Sequence, residues 1–326
     1  MFDSLNYPLG PEFCLFASEA LTKRIWALLD EAGGVRENRD PECLHRMRVA
    51  SRRLRNALSL FGGCFPEEER KRWEKEARRV GRALGEARDV DVQAALISAL
   101  LEKMEDRRLR PGVERLLLRL EQRRERLQPK VIRALDSLEE SDLKNGFPEA
   151  LRELSARMRL ALQEEAEDQE SVRATAVDLL IRRAVELEAF QLVADHPERV
   201  EELHAMRIAV KRLRYTLEIF RSLFEGAAEP VLETLKKLQD LLGEVHDCDV
   251  WIGYLPLFLE KERRRTIRYF GHERPMGRLR PGIGFLQEEF HRRRAERFEE
   301  FRGFWRMNLE TVGWKGVARS LGRTVP

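Results

Sequence analysis

At 326 residues and 38.2 kDa the chain exceeds one typical domain and falls short of three, which predicts two units or one large helical body. Hydrophobic residues at 43% suffice for a core and exclude a wholly disordered chain. Sixty basic against 57 acidic residues leave a net charge of only +3, so any anion site must come from how the charges are placed.

Of the 60 basic residues, 49 are Arg. Arg holds its charge at any reasonable pH and presents a planar fork that matches phosphate oxygens, although codon bias alone can raise its share. Cys14, Cys43, Cys64 and Cys248 show no CxxC spacing and are read as reduced thiols of an intracellular protein. No run of about 18 apolar residues predicts a membrane span. The first residues lack a basic region followed by an apolar one, so no signal peptide is expected. Motifs of the GxGxxG, Walker A, HExxH and GxSxG types are absent from the sequence.

In chain order, apolar residues recur at three- and four-residue steps over 17–33, 44–61, 73–84, 113–135, 150–166, 176–193, 203–224, 231–242 and 285–301. Gly33-Gly34, Gly62-Gly63 with Pro66, Pro111-Gly112, Gly146 with Pro148, Pro197, Gly226 with Pro230, and the stretch from Pro275 to Gly284 mark the expected breaks. Sustained β alternation is missing. The fold class expected is all-α: antiparallel helices in bundles.

The run from Leu44 to Phe61 returns 159 residues later as Leu203 to Phe220, with ten of 18 positions identical. Leu84-Gly85-Glu86-Ala87-Arg88-Asp89-Val90-Asp91-Val92 is echoed by Leu242-Gly243-Glu244-Val245-His246-Asp247-Cys248-Asp249-Val250, and Lys23-Arg24 stand opposite Arg182-Arg183. Matches in one order predict an internal duplication, with helical halves at 13–145 and 170–310. An N-terminal extension (1–12), a connecting helix (146–169) and a C-terminal tail (311–326) complete the expected organisation.

On a helix, Leu44, Met47, Ser51, Leu54, Leu58 and Phe61 share one arc, the expected core face. His45, Arg48, Arg52 and Arg55 share a second arc, in a row about 15 Å long. His204, Arg207, Lys211 and Arg214 repeat that row. No acid lies between 44 and 55 or between 203 and 214. A solvated face would gain from alternating Glu and Lys, because like charges at i+3 and i+4 repel. Two uncompensated rows therefore point to an anion. Only Tyr215 adjoins them, whereas single-stranded nucleic acid wants stacking platforms, so a bare polyanion fits better.

His45 and His204 begin the two rows. Metal ligation, phosphoryl acceptance and hydrogen-bond donation are all open to them; with no His or Cys at i+4, donation to phosphate is the preferred reading. Beside a bound phosphate each imidazole would tend to keep its proton. The pairs Asp89/Asp91 and Asp247/Asp249 could hold Mg²⁺ or act as general acid and base. The preferred reading has them follow a helix-ending Leu-Gly-Glu, cap the next helix and ion-pair with row arginines.

The two His-x-x-Arg-x-x-x-(Arg/Lys)-Arg-Leu-Arg helices, each followed by Leu-Gly-Glu-x-x-Asp-x-Asp-Val, resemble the CHAD domain, the conserved-histidine α-helical domain, over about residues 13–310. The resemblance implies two bundles related by a pseudo-two-fold axis and a basic groove between them that binds inorganic polyphosphate, with association to polyphosphate granules and no catalysis. Family members fused to a CYTH triphosphatase carry an ExExK signature; its absence here suggests a stand-alone CHAD protein. Position by position, the contacts implied are His45, Arg48, Arg52, Arg53, Arg55, His204, Arg207, Lys211, Arg212 and Arg214, with Lys23 and Arg182 added from the repeated first helices. No cofactor, metal or membrane is expected, nucleic acid is not the favoured partner, and the expected location is cytoplasmic. The alternatives are a Mg²⁺-dependent phosphohydrolase or phosphotransferase using the paired Asp, and a nucleic-acid-binding helical module. The very basic segment from Arg263 to Gly282 is expected to depart from the bundle, as a mobile flap over the anion or an ordered loop.

Overall fold

The computed structural model describes residues 10–38, 40–162 and 169–311, together with Gly316. Residues 1–9 of the expected extension, the end of the helix expected over 150–166 and nearly all of the tail lie outside the described residues. Among the described residues there is no strand, as the period of the apolar pattern predicts. The helices are α1 (Pro11–Leu29), α2 (Ala32–Glu37), α3 (Pro41–Leu60), α4 (Glu67–Glu102), α5 (Arg110–Glu139), α6 (Asp142–Asn145), α7 (Phe147–Leu162), α8 (Gln169–Glu188), α9 (Val200–Phe220), α10 (Ala228–Phe270) and α11 (Arg280–Thr311).

Local chemistry sets the helix ends. Helices α1 and α3 open on Pro11 and Pro41, and α5 has Pro111 as its second residue, all places where a missing N–H costs nothing. The Asp40 carboxylate caps α3 by accepting the Glu42 N–H at 2.8 Å. Glu67, Glu68 and Glu69 place negative charge at the positive end of α4. Gly271, at φ +75°, ends α10 in the left-handed conformation.

Two expected boundaries are overturned. The helices expected over 73–84 and 231–242 are parts of α4 and α10, 36 and 43 residues long, which run unbroken through Leu-Gly-Glu. A glycine costs a helix interior about 1 kcal/mol. Burial of Leu84, Ala87 and Val90 on α4, and of Leu242, Val245 and Cys248 on α10, outweighs that cost. Asp89, Asp91, Asp247 and Asp249 therefore lie inside helices and cap nothing. Arg263 to Phe270 form the last turns of α10, and a short 3-10 turn over Arg274–Arg278 with Met276 buried leads into α11. The basic segment is an ordered connection.

The cysteine reading is also corrected. A disulfide joins Cys14 on α1 to Cys64 in the turn after α3, with Cα atoms 5.6 Å apart, while Cys43 and Cys248 stay thiols. The partners are 50 residues apart and meet only because α1 packs on α3, so no local spacing announces them. With that bridge, cysteine usage no longer argues for a reducing compartment.

Packing proceeds in order: α1 on α3, α3 on α4, α4 on α5, then α8 on α9, α9 on α10, α10 on α11. The main crossings between these series are α1 with α8, α3 with α9 and α5 with α11. The last requires glycine. A Cβ on Gly112 would sit 2.3 Å from the Leu279 carbonyl oxygen, and one on Gly282 would sit 2.0 Å from that of Leu109. Both glycines stand in the same tetrapeptide, Leu-Arg-Pro-Gly, at 109–112 and 279–282. One continuous core spans both series. Leu44, Met47, Ser51, Leu54, Leu58 and Phe61 are all buried, as the core arc predicts. Phe61 meets Phe220 edge-on with ring centroids 6.0 Å apart, and Phe13 and Phe16 of α1 pack on both. This cluster pins the C-terminal ends of α3 and α9 together, and so brings the adjoining arcs of both helices side by side. No helix among the described residues is long and apolar enough to cross a membrane.

Candidate functional site

With their core faces fixed, α3 and α9 turn their cation rows toward each other. Arg48 lies close enough to Arg207 and Lys211 to disfavour their charged forms, and Arg52 does the same to Lys211. Tyr215 forms the floor between the rows. The Arg52 guanidinium lies 5.0 Å from its ring centroid and that of Arg214 4.9 Å from it, so one buried aromatic ring holds a cation from each helix.

Few acids answer these charges. Arg48 bridges to Asp89 at 2.8 Å. Arg52, Arg55, Arg207 and Lys211 have no ion-pair partner among the described residues. The Nε atoms of Arg52, Arg207 and Arg214, Nδ1 of His45 and the Tyr215 hydroxyl are covered from solvent yet have no hydrogen-bond partner among the described residues. An unsatisfied buried donor costs roughly 1–3 kcal/mol, so each asks for an explanation. Lys211 is pushed down to about 7, by burial first and then by Arg207, Arg52 and Arg48. Burial also lowers Arg52, Arg55 and Arg207, with neighbouring guanidinium groups adding to it. The groove is short of negative charge by construction.

The histidines sit at the N-terminal ends of the rows. Nδ1 of His204 lies 3.2 Å from Nδ1 of His246 on α10, with ring centroids 4.3 Å apart. His246 is pushed down to about 4 by burial, Arg207, His204 and Lys211, and His204 is lowered by burial, Arg207 and Lys211. His45 is lowered by burial and then by Arg88, which holds the place in the first Leu-Gly-Glu motif that His246 holds in the second. In all three imidazoles, burial and the surrounding cations disfavour the charged form. Sequence reasoning missed Arg88 and His246, although the repeat itself marks that variable position beside the constant Asp.

The remaining expected residues divide between two sides of the α3–α9 pair. Arg52, Arg55, Lys211 and Arg212 line a cavity of about 250 Å³ together with Arg78 of α4 and Arg183 of α8. Lys23, Arg53 and Arg214 line a separate cleft with Arg24 and Glu218. There Glu218 takes both Arg53, at 3.3 Å, and Arg214, at 3.4 Å. Arg182 is exposed, pairs with Asp178 at 3.0 Å and lines neither cleft; its neighbour Arg183 faces the cavity instead, because one residue step turns a helix by about 100°. Ion pairing of the Asp residues is partly as expected. Asp89 takes Arg48, but Asp91 takes Arg124 of α5 at 2.7 Å and Asp249 takes Arg294 of α11, so the second Asp of each motif ties its helix to the next. Asp247 is the carboxylate that supports Arg207 and Lys211. Among the described residues, no group of three His, Cys, Asp or Glu side chains is placed to hold a metal ion.

Comparison with known proteins identifies the family and the fold. A family model described as CHAD domain matches residues 19–256. No curated protein matches the sequence. Among solved structures, the fold is similar to that of the CHAD domain from the plant Ricinus communis, with a TM-score of 0.60 and 21% identity over 93% of this chain and 94% of that one. It is also similar to PptA from Streptomyces chartreusis, with a TM-score of 0.59 and 14% identity over 89% and 98%. At these identities the likeness to solved structures shows the fold.

Proposed function

The chain belongs to the CHAD domain family, and from that premise we propose that it binds inorganic polyphosphate, without catalysis, in the groove between α3 and α9. Family membership supports a polyphosphate-related role. The observation that carries the reading to this groove is the set of crowded cations, Arg52, Arg207 and Lys211, that make no ion pair among the described residues, have only Asp247 in support, and whose charged forms are disfavoured by burial and by neighbouring cations. A chain of phosphates supplies what they lack: dense negative charge and oxygen acceptors for charge-assisted hydrogen bonds. His45, Arg48, Arg52 and Arg55 would grip it from one wall and His204, Arg207 and Lys211 from the other, each wall belonging to one of the halves proposed at 13–145 and 170–310. Arg212 would add to the second wall from the cavity it shares with Lys211, and Arg53, Arg214, Lys23 and Arg182 would act from the flanks. Binding to polyphosphate granules is the biological setting this function suits.

Nucleic acid is the poorer fit. Its bases want exposed aromatic platforms, and Tyr215 is buried beneath Arg52 and Arg214. The test is a calorimetric titration of long-chain polyphosphate and of single-stranded RNA at matched ionic strength, with polymer length followed over hours in Mg²⁺. Tight binding of intact polyphosphate and weak binding of RNA is the expected result. Equal affinity for RNA, or shortening of the polymer, would overturn the reading.

A further inference from the structure

We propose that the anion track leaves the groove at one end only, continuing over α4 onto an outer platform of Lys75, Arg78, Arg79 and Arg82. This rests on the groove binding polyphosphate. Arg78 is the link, because it lines the groove cavity and also a second cleft on the outer face of α4. Arg55, at the end of the α3 row, feels Arg78 and Arg82 as like charges. From there Lys75, Arg78, Arg79 and Arg82 fall at i, i+3, i+4 and i+7, one helical face about 10 Å long.

That face is uncompensated. All four side chains are exposed, and none makes an ion pair among the described residues; Arg79 reaches only the Ser137 carbonyl, at 3.4 Å. The acids nearby are already engaged: Glu74, which also supports Arg55, takes Arg70 at 2.7 Å, Glu76 accepts the Leu143 N–H at 2.8 Å, Glu86 faces Lys130 at 3.6 Å, and Asp142 takes Arg72 at 2.9 Å. The matching positions on α10, 158 residues on, read Glu233, Lys236, Lys237 and Asp240, so there acids replace two of the cations. The neighbouring cleft is closed by further acids, with Glu218 on Arg53 and Arg214 and Glu229 on Arg221 at 2.6 Å. Similar sequences thus build one basic exit and one neutralised end. A polyanion longer than the groove would run out over α4.

Three variants test this, with calorimetry of long-chain polyphosphate and of tripolyphosphate across a range of salt. The platform variant, Lys75→Gln with Arg79→Gln and Arg82→Gln, leaves the groove intact. It should weaken long-chain binding about tenfold and flatten its salt dependence, since fewer counterions are displaced, while tripolyphosphate binding stays within about twofold. The mirror variant, Lys236→Gln with Lys237→Gln, should change neither. The groove variant, Arg52→Gln with Arg207→Gln, should weaken both lengths. Circular dichroism reports whether each variant is folded. A platform variant with wild-type long-chain affinity, or a mirror variant that loses as much, would overturn the one-sided exit. Failure of the wild-type protein to bind either length would overturn the groove reading itself, and the exit with it.

Discussion

Two arginine clusters in this molecule are opposite electrostatic designs. Around Glu262, whose side chain is fully buried, Arg115, Arg119 and Arg265 converge on a single carboxylate: Arg119 Nε donates at 2.8 Å, Arg115 lies at 3.3 Å and Arg265 completes the knot. In the groove between α3 and α9, Arg52, Arg207 and Lys211 make no ion pair among the described residues, and Asp247 is the one carboxylate that supports two of them. The first cluster locks α5 to α10; in the second the cations crowd one another without an ion pair among the described residues. An arginine count therefore says nothing about function, and the position of acids says a great deal. In a chain with 60 basic and 57 acidic residues, it is the local failure of pairing on which the proposed site rests.

The sharpest way to break this contrast is to empty the groove. Replacing Arg52, Arg207 and Lys211 together by Gln should lower affinity for long-chain polyphosphate by 100-fold or more, roughly 1 kcal/mol for each lost charge-assisted contact or somewhat above. Thermal stability should hold or rise, because like-charge crowding goes with the charges. The knot should behave in the opposite way. Glu262→Gln leaves three guanidinium groups facing a neutral amide and should cost about 3–5 kcal/mol in denaturant unfolding, the usual cost of removing one partner of a buried pair. Polyphosphate affinity of the folded variant should be unchanged. A Glu262→Gln protein as stable as the wild type would show that the knot is incidental.

Protonation sharpens the contrast further. Lys211 titrates at about 7 in the ligand-free protein, against about 10.4 for a free lysine. Its folded value is depressed, so the penalty of its charge is fully present below about pH 7 and is relieved as pH rises toward the unfolded value. Lys211→Met should stabilise the ligand-free protein most at pH 6, with the gain fading toward pH 10. Bound phosphate favours the charged forms of Lys211, His45, His204 and His246, so binding takes up protons. Affinity should fall as pH rises from 6.5 to 8.5, by up to about tenfold per unit for each proton taken up. Calorimetry in buffers of different ionisation enthalpy measures that uptake directly; none at pH 8 would mean Lys211 is already protonated in the free groove.

Much of this was legible in the residues. The core arc of α3 follows from helical spacing alone, because a buried face must be apolar wherever the partner helix lies. The cation rows were legible for the complementary reason that unpaired like charges at helical spacing are costly and need a partner. What sequence could not show is tertiary. Gly85 and Gly243 read as helix ends, yet each stands inside a helix where a Cβ would approach only the guanidinium of Arg48 or Arg207, at 3.7 and 3.6 Å. The Cys14–Cys64 bridge depends on two helices meeting. Whether a row arginine is free or paired depends on acids far along the chain, as with Asp89 for Arg48.

Glu218 offers the smallest and most specific test of the contrast, since it is the residue that makes one flank of the α3–α9 pair resemble the Glu262 knot. It sits where the repeat has Ser59 in its other copy, and it holds Arg53 at 3.3 Å and Arg214 at 3.4 Å. Its carboxylate is the charge that cancels them. In Glu218→Gln the two guanidinium groups keep their places but lose their partner, turning a neutralised flank into a second basic one. Long-chain polyphosphate should then bind about two- to fivefold more tightly at low salt, the size of a partly exposed ion-pair effect, and the gain should shrink as salt rises. Tripolyphosphate, short enough to stay within the groove, should gain less. A variant whose affinity for both lengths is unchanged at low salt would mean that acids on the flank do not govern where the polymer runs, and that the groove cations alone decide binding.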